Sequence, residues 1–493
     1  MRSITEDTIS GVKWTAFEKV STQIVNFLLG LLLARLLDPS DFGTIGMLGI
    51  FMAISSTFID SGFSNALIRK PEISDEDYST AFYFNIIAGL VCYALMFVCS
   101  SLIADFFEMP ILNGIVKVYS VTLFINSLTS VQYAKLNREL NFRLQAKISF
   151  VSALFTGLIG VGLAYLGFGV WALVWQAIAS SALRAGLLWT FAHWRPDSGF
   201  SKVSFKYLFS YGSKLLASGL LHTLYSNLST LAIGKFYTAS DLGYYSKGNH
   251  FAALPTGSIT GILQKVTFPL LSKIQNDDDR LIRVYRKYIR MTSCGIFFLM
   301  CLLASLASPL VEFLLTDKWL ESAIFVQIFC FALMFDHICQ LNLTLLQVKG
   351  RSDLFLKLEV IKKSIAFAIL CAAIPFGVKA ICITSVFYTQ IAVYINTYFT
   401  GKLFGLGYLA QLKDFGKYFI ISLVACLPAF LISFSEMSPI LILLLGSILA
   451  VFTYCCILGL GKDRDFYELL QLIKEKVYYE WLGKAHKELF CWN

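Results

Sequence analysis

Charge is scarce in this chain: only 15% of its 493 residues are Asp, Glu, Lys or Arg, against about a quarter in soluble domains. With 57% hydrophobic residues and a mean hydropathy of +0.67, a soluble globular protein is excluded and a bilayer is the natural solvent. Long polar segments are missing too. Between the apolar runs lie only short loops, none long enough to fold into a separate domain, which excludes a projecting catalytic module. No P-loop, no nucleophile and base constellation and no Cys/His metal spacing occurs, so neither enzyme activity, nor a cofactor, nor a metal is expected. The twelve cysteines sit mostly inside apolar runs and read as small buried hydrophobes. No small-residue cleavage site follows the first long apolar run, 12–37, which is therefore expected to be retained as a membrane helix.

A helix needs about 20 mostly apolar residues to cross the hydrocarbon core. Fourteen stretches meet that length: 12–37, 42–66, 80–106, 112–134, 147–166, 169–192, 209–235, 245–272, 287–311, 321–348, 358–375, 378–400, 416–434 and 438–461. The eighth carries Pro255, Gly257 and Gly261. Lys and Arg orient the set. With the N-terminus in the cytoplasm, 34 of the 41 fall on the cytoplasmic side and six outside, with Arg184 inside a span. One missed span would invert the bias of every later loop, so fourteen spans with both ends cytoplasmic is the expectation. The net charge of +9 then answers to this rule and to anionic headgroups, and no nucleic acid is needed. In the tail, 462–493, Phe466, Leu470, Ile473, Val477 and Trp481 recur at helical spacing among charges. That pattern reads as an amphipathic helix on the inner membrane face.

One charged corner occurs twice: "ARLLDPSDFGTIG" at 34–46 and "GKFYTASDLGYYS" at 234–246. Laying 11–90 over 211–290 without a gap pairs the first span with the seventh. Six spans separate the copies, an even number, so the second unit enters in the same orientation as the first. The expected fold class is therefore an all-α polytopic membrane protein with two parallel six-helix bundles, 1–200 and 201–405, related by an axis along the membrane normal. Two further spans, 406–461, and the tail follow. Parallel repeats of this kind are a transporter architecture, whose cleft opens alternately to each side. Locally, Ser40/Asp41 and Ser240/Asp241 are expected to cap the helix that follows, and Gly43 and Gly243 to let the hairpin pack closely.

The stretches "GVKWTAFEKVSTQIVNFLLGLLLARLLDPSDFGTIGML", "DSGFSNALIRK", "LGYYSKGNHFAALPTGSITGILQKVTFPLLSKIQND" and "LNLTLLQVKGRSDLFLKLEVIKK" resemble the polysaccharide-transport branch of the multidrug/oligosaccharidyl-lipid/polysaccharide exporter superfamily. The resemblance spans nearly the whole chain. It implies a Wzx-type flippase of the bacterial inner membrane, moving undecaprenyl-pyrophosphate-linked oligosaccharide to the outer leaflet by alternating access. Coupling to H⁺ or Na⁺, and association with polymerase and export machinery, are implied with it.

Charges inside apolar spans each need a partner, a cavity or an escape to the interface, at a cost of at least about 2.5 kcal/mol. Arg184 is the deepest base. Glu18 and Lys19 in the first span, and Lys214 and His222 in the seventh, lie on the helices that would flank the cleft. Arg184, Lys214 and Lys19 would take up the phosphates, Arg by bidentate pairing and Lys as a point charge. His222 joins them, and Arg35, Lys235 and Lys247 would line the outer mouth. Asp336, His337, Glu18 and Asp60 are the candidates for ion coupling, since buried carboxylates can take a proton or Na⁺. A cation-coupled multidrug exporter of the sister branch and a membrane-embedded polymerase or glycosyltransferase remain as alternatives. A lumen lined mainly by acids would favour the exporter, and an acidic site at a membrane face would favour the enzyme.

Overall fold

The computed structural model describes the backbone of residues 4–192 and 194–471, and side chains from Glu18 onward except Lys19, Ser258, Ile262, Gln264, Lys265, Val266, Ser352 and Leu356. Two compact units emerge, residues 1–246 and 247–493.

In the first unit, the chain enters through α1 (Ile4–Leu36), α2 (Pro39–Asp60) and α3 (Phe63–Arg69). It continues through α4 (Asp75–Val98), α5 (Ser100–Phe106), α6 (Ile111–Tyr119), α7 (Val121–Ser127) and α8 (Ser130–Arg138). Then come α9 (Phe142–Tyr165), α10 (Val170–Phe191), α11 (Lys202–Phe236) and the start of α12 (Ala239–Lys273). The second unit holds the rest of α12, then α13 (Asp278–Ser305), α14 (Ala307–Leu315), α15 (Ser322–Leu333) and α16 (Asp336–Val348). It closes with α17 (Ser352–Ala373), α18 (Val378–Phe404), α19 (Tyr408–Ile432) and α20 (Pro439–Leu460).

Helices cover every one of the expected apolar stretches, and among the described residues nine are long and apolar enough to cross a membrane. Several start earlier than hydropathy alone implies. The polar openings of α11, α13 and α19 stay helical because Lys, Arg and Gln are good helix formers. The eighth stretch is one helix despite Pro255 and Pro269, the latitude that packed membrane helices allow.

Close packing rests on small residues, as it must where lipid removes the hydrophobic drive between helices. A methyl group on Gly157 of α9 would run into Leu29 of α1, and one on Gly89 of α4 would stand 2.6 Å from the Ser127 side chain of α7. The second unit adds a polar lock. Asn342 and Gln411, both fully buried, exchange amide hydrogen bonds of 2.9 Å, and the Thr400 hydroxyl donates to Asn342 at 2.8 Å. Such a network leaves few buried groups unsatisfied and ties α16, α18 and α19 together.

At one end of this unit an ion network joins α13, α19 and the chain after α20. Arg286 grips Asp414 with two hydrogen bonds of 2.8 and 2.9 Å, while Arg290 reaches Asp465 at 2.8 Å. Lys417 and Tyr418 both donate to Asp463. We expect Asp414→Ala to cost about 2–3 kcal/mol, less than for a fully buried pair because Arg286 is 41% exposed. Thermal melting of the detergent-solubilised protein checks this, and an unchanged midpoint would remove the network from the stabilising contacts. Phe466 packs edge-on against Tyr454 and is buried, so the start of the tail docks on its own unit. Ile473, Val477 and Trp481 lie outside the described residues.

Acid provides a second check on the network. Burial alone would raise the Asp463 carboxyl, but hydrogen bonds from Lys417, the Phe466 amide and Tyr418 outweigh it and hold the group below its ordinary value. Its stabilisation is therefore fully present above the ordinary carboxylate range, near pH 4, and disappears as pH falls through the lower folded value. Wild type should melt above Asp463→Asn at pH 7, with the gap narrowing as pH falls below the ordinary carboxylate range; a gap that persists unchanged in strong acid would contradict the assignment.

Candidate functional site

The repeated corner is built differently from its sequence expectation. The helix that follows begins at Pro39, so its cap is Asp38, whose amide donates to the Asp41 carboxylate at 3.1 Å. In the second copy Thr238 is the cap: the Asp241 amide donates to its hydroxyl at 3.1 Å, and that hydroxyl donates back to the Asp241 carboxylate at 2.7 Å. Asp41 and Asp241 thus act from the third helical position, the reciprocal arm of a capping box. Ser40 and Ser240 sit inside the first turn and are not the caps.

The corner glycines are likewise redirected. A methyl on Gly43 would overlap the carbonyl of Ala239, and one on Gly243 would overlap the carbonyl of Pro39. Each glycine therefore serves the opposite corner and not its own hairpin. Under the shift of 200 residues, 39 maps to 239 and 43 to 243, so the contact is reciprocal. Beside it, Lys235 pairs with Glu108 at 2.8 Å and lies over the Phe106 ring at 5.3 Å. That ammonium holds the Glu108 carboxyl below its ordinary value. Arg35 is exposed in the same unit. In the second unit, Lys247 stands over the Trp319 ring at 5.5 Å.

Further along the first unit, α2 breaks into α3 at Ser61 and Gly62, with φ of +45° and +69°. A methyl on Gly62 would stand 2.9 Å from the Gly212 carbonyl oxygen, and one on Gly212 would overlap the Ser61 carbonyl. Two glycines thus let the kink sit on the backbone of α11. Asp60, at the kink, accepts a hydrogen bond from Ser64 at 2.5 Å. Arg138 donates to the carbonyls of Leu67 and Lys70 at 2.8 and 2.6 Å. It satisfies the C-terminal carbonyls that a short helix leaves open.

This packing creates an open groove of about 880 Å³, lined by Arg69 of α3 and by Lys202, Lys206, Tyr207, Ser210, Tyr211 and Lys214 of α11. The α11 residues follow helical spacing: 202, 206, 210 and 214 make one stripe, and 207 and 211 a second beside it. The Arg69 guanidinium lies over the Tyr211 ring at 4.6 Å, and the Lys70 ammonium over Tyr207 at 5.2 Å. Lys70 is itself anchored to buried Asp77 at 2.6 Å. Among the described residues, no carboxylate forms an ion pair with Arg69, Lys202, Lys206 or Lys214. Four cations around one groove repel one another, and an anion relieves that repulsion.

A second polar cluster lies within the same unit. Glu18 accepts a hydrogen bond from Ser149 at 2.7 Å, and the charges of both Glu18 and Arg184 act on Tyr133. The Arg184 Nε is buried without a hydrogen-bond partner among the described residues. Thus Glu18 and Arg184 are brought to one neighbourhood, while Lys214 belongs to the groove. His222 is exposed, and its carbonyl accepts from Ser226. The Lys19 side chain lies outside the described residues.

Asp336 and His337 diverge. His337 is 1% exposed, hydrogen-bonded to Ser293 at 2.9 Å and packed edge-on to Phe297. Asp336 is half-buried and faces the charge of Lys362, which is ion-paired to Glu359.

Helices of this length and apolarity, with charged clusters between them, define a polytopic membrane protein, and its fold is that of known exporters. The lipid II flippase MurJ, in an inward closed conformation, superposes with a TM-score of 0.70 at 14% identity, covering 91% of this chain and 99% of that one. An inward-facing multidrug MATE transporter gives 0.59 at 15% identity, covering 80% and 96%. The polysaccharide biosynthesis protein family matches residues 32–324, more than half of the chain, and the chain belongs to that family. Among curated relatives, the lipopolysaccharide biosynthesis protein WzxC of Escherichia coli is 27% identical over 73% of this chain and 74% of its own length. The teichuronic acid biosynthesis protein TuaB of Bacillus subtilis is 24% identical over 72% and 74%. The succinoglycan biosynthesis transport protein ExoT of Rhizobium meliloti is 25% identical over 62% of each.

Proposed function

We propose that this protein carries a pyrophosphate-linked glycan lipid from the inner to the outer leaflet of the bacterial inner membrane by alternating access, with fourteen spans and both termini in the cytoplasm. It is a transporter and not an enzyme. The observation that carries the reading is the groove of Arg69, Lys202, Lys206 and Lys214, four bases beside two tyrosines and without carboxylate partners among the described residues. In this orientation the groove faces the cytoplasm, where a newly made lipid-linked sugar is loaded. Phosphate oxygens suit the exposed Arg69 guanidinium and the point charges of the lysines, while the polyprenyl chain stays in lipid.

The interior cluster of Arg184, Glu18, Tyr133 and Ser149 is the next station for the headgroup. Its buried Nε, without an acceptor among the described residues, is a donor waiting for one. Arg184→Ala should cut export of lipid-linked glycan about tenfold while leaving the folded protein in the membrane, as loss of one charge-assisted phosphate contact implies. Normal export would take Arg184 off the path.

The reciprocal corner contact supports a duplication into two parallel bundles, since a two-fold axis makes residue i meet j and j meet i. Cysteines placed at Ser40 and Ser240 should both be labelled from outside. Asp336, facing Lys362, is the proposed seat of ion coupling, and His337 is a packing residue in this reading.

A further inference from the structure

Building on the loading role of the groove, we propose that Tyr207 and Tyr211 read the sugar attached to the pyrophosphate, by stacking their rings against its apolar face. Three observations meet here. First, both rings line the groove alongside the bases, so a headgroup whose phosphates sit on Lys206 and Lys214 brings its first sugar within reach of the tyrosines.

Second, each ring is held by a cation: Arg69 over Tyr211 at 4.6 Å and Lys70 over Tyr207 at 5.2 Å. Such contacts fix an aromatic plane at small entropic cost. Lys70 cannot swing away to the phosphates, because buried Asp77 grips its ammonium at 2.6 Å. It is a positioning residue for Tyr207. Arg69 is exposed and forms no ion pair with a carboxylate among the described residues, so it can hold Tyr211 and still offer donors to a phosphate.

Third, this stretch of α11 packs on an apolar base: Tyr211 and Phe205 both rest against the buried cluster that includes Phe63, Phe82 and Leu208. Phe205, on the same helix, packs against Phe63 and Phe84 at 6.1 and 5.5 Å. Neighbouring α3 is clamped by Arg138.

A tyrosine offers a broad flat surface with only two torsions to freeze, which suits a site that discriminates ring stereochemistry. Sugars with a continuous C–H face stack well, and sugars whose axial hydroxyls interrupt that face stack poorly. The phosphate contacts supply affinity common to every such lipid, and the tyrosines supply the difference between them.

The test separates the two contributions. The full-length protein is placed in nanodiscs of phosphatidylcholine, and its affinity is measured for undecaprenyl pyrophosphate and for the same lipid carrying glucose, galactose or N-acetylglucosamine. Wild type should bind at least one sugar-bearing lipid about five- to tenfold tighter than the bare one, the worth of a good aromatic stack. Tyr207→Leu/Tyr211→Leu should lose the sugar increment, so that bare and sugar-bearing lipids bind the variant alike. The Phe pair should retain it, and Lys206→Ala should weaken all the lipids alike. Equal weakening of bare and sugar-bearing lipids by the Leu pair, or no sugar increment in wild type, overturns the assignment to tyrosine. Failure of wild type to bind any of these lipids overturns the loading role itself.

Discussion

Lys206→Ala/Lys214→Ala loses nearly all export of lipid-linked glycan while the protein stays folded and membrane-inserted. Both side chains are exposed on one face of α11 and line the same groove as Arg69 and Lys202. Each ammonium-to-phosphate contact is worth roughly tenfold in affinity, so losing two gives a drop of about 100-fold. Surface changes of this kind usually move stability by under about 0.5 kcal/mol, so the melting temperature serves as the control. Salt sharpens the result, because screening weakens exposed charges first. Wild-type binding of undecaprenyl pyrophosphate should fall steeply with ionic strength, and the double variant's, with only Arg69 and Lys202 left in the groove, less steeply. Equal export by wild type and variant would return the four bases to the role of ordinary inward-facing charges.

Gly43→Ala is the second large effect, this time on stability. A Cβ there collides with the Ala239 carbonyl, and backbone cannot swing aside as a long side chain can. Forcing the two corners apart should cost about 3 kcal/mol, the upper range for overpacking, and Gly243→Ala should do the same against Pro39. The sign is informative because the same change elsewhere goes the other way. At Gly30 in α1 and Gly49 in α2 an added methyl group would meet nothing within 4 Å, so Ala there should be neutral or stabilise by up to about 1 kcal/mol through helix propensity. A Gly43→Ala protein that melts with wild type would show that the corners do not touch.

How far sequence alone reaches differs from element to element. Helix positions are legible because apolar runs of bilayer length have few alternatives, and the repeated Ser-Asp-apolar-Gly corner stands out at once. Its mechanics are not legible. Capping falls to Asp38 and Thr238 because the helices start at Pro39 and Ala239, three and six residues before the apolar runs, and the glycines answer to a partner about 200 residues away.

The groove escapes sequence reasoning for a specific reason. Arg69, Lys202 and Lys206 are absorbed by the count of inward-facing charges, which explains why bases lie on that side but not why two of them share a stripe with Lys214. The spacing 202, 206, 210, 214 is the available signal. No pattern in sequence could bring Arg69 to Tyr211, since that contact depends on the Gly62 kink lying against Gly212. Asp336 and His337 look like a functional pair by adjacency. Neighbours on a helix point about 100° apart, and one of the two ends in the core against Ser293 and Phe297.

The most direct test of the central claim is to delete the gene and extract lipid-linked sugars from the cells. An undecaprenyl-pyrophosphate-linked glycan should accumulate facing the cytoplasm while the corresponding surface polysaccharide is lost, and Lys206→Ala/Lys214→Ala should fail to restore it. Unchanged surface polysaccharide with no accumulated lipid-linked glycan would contradict the claim.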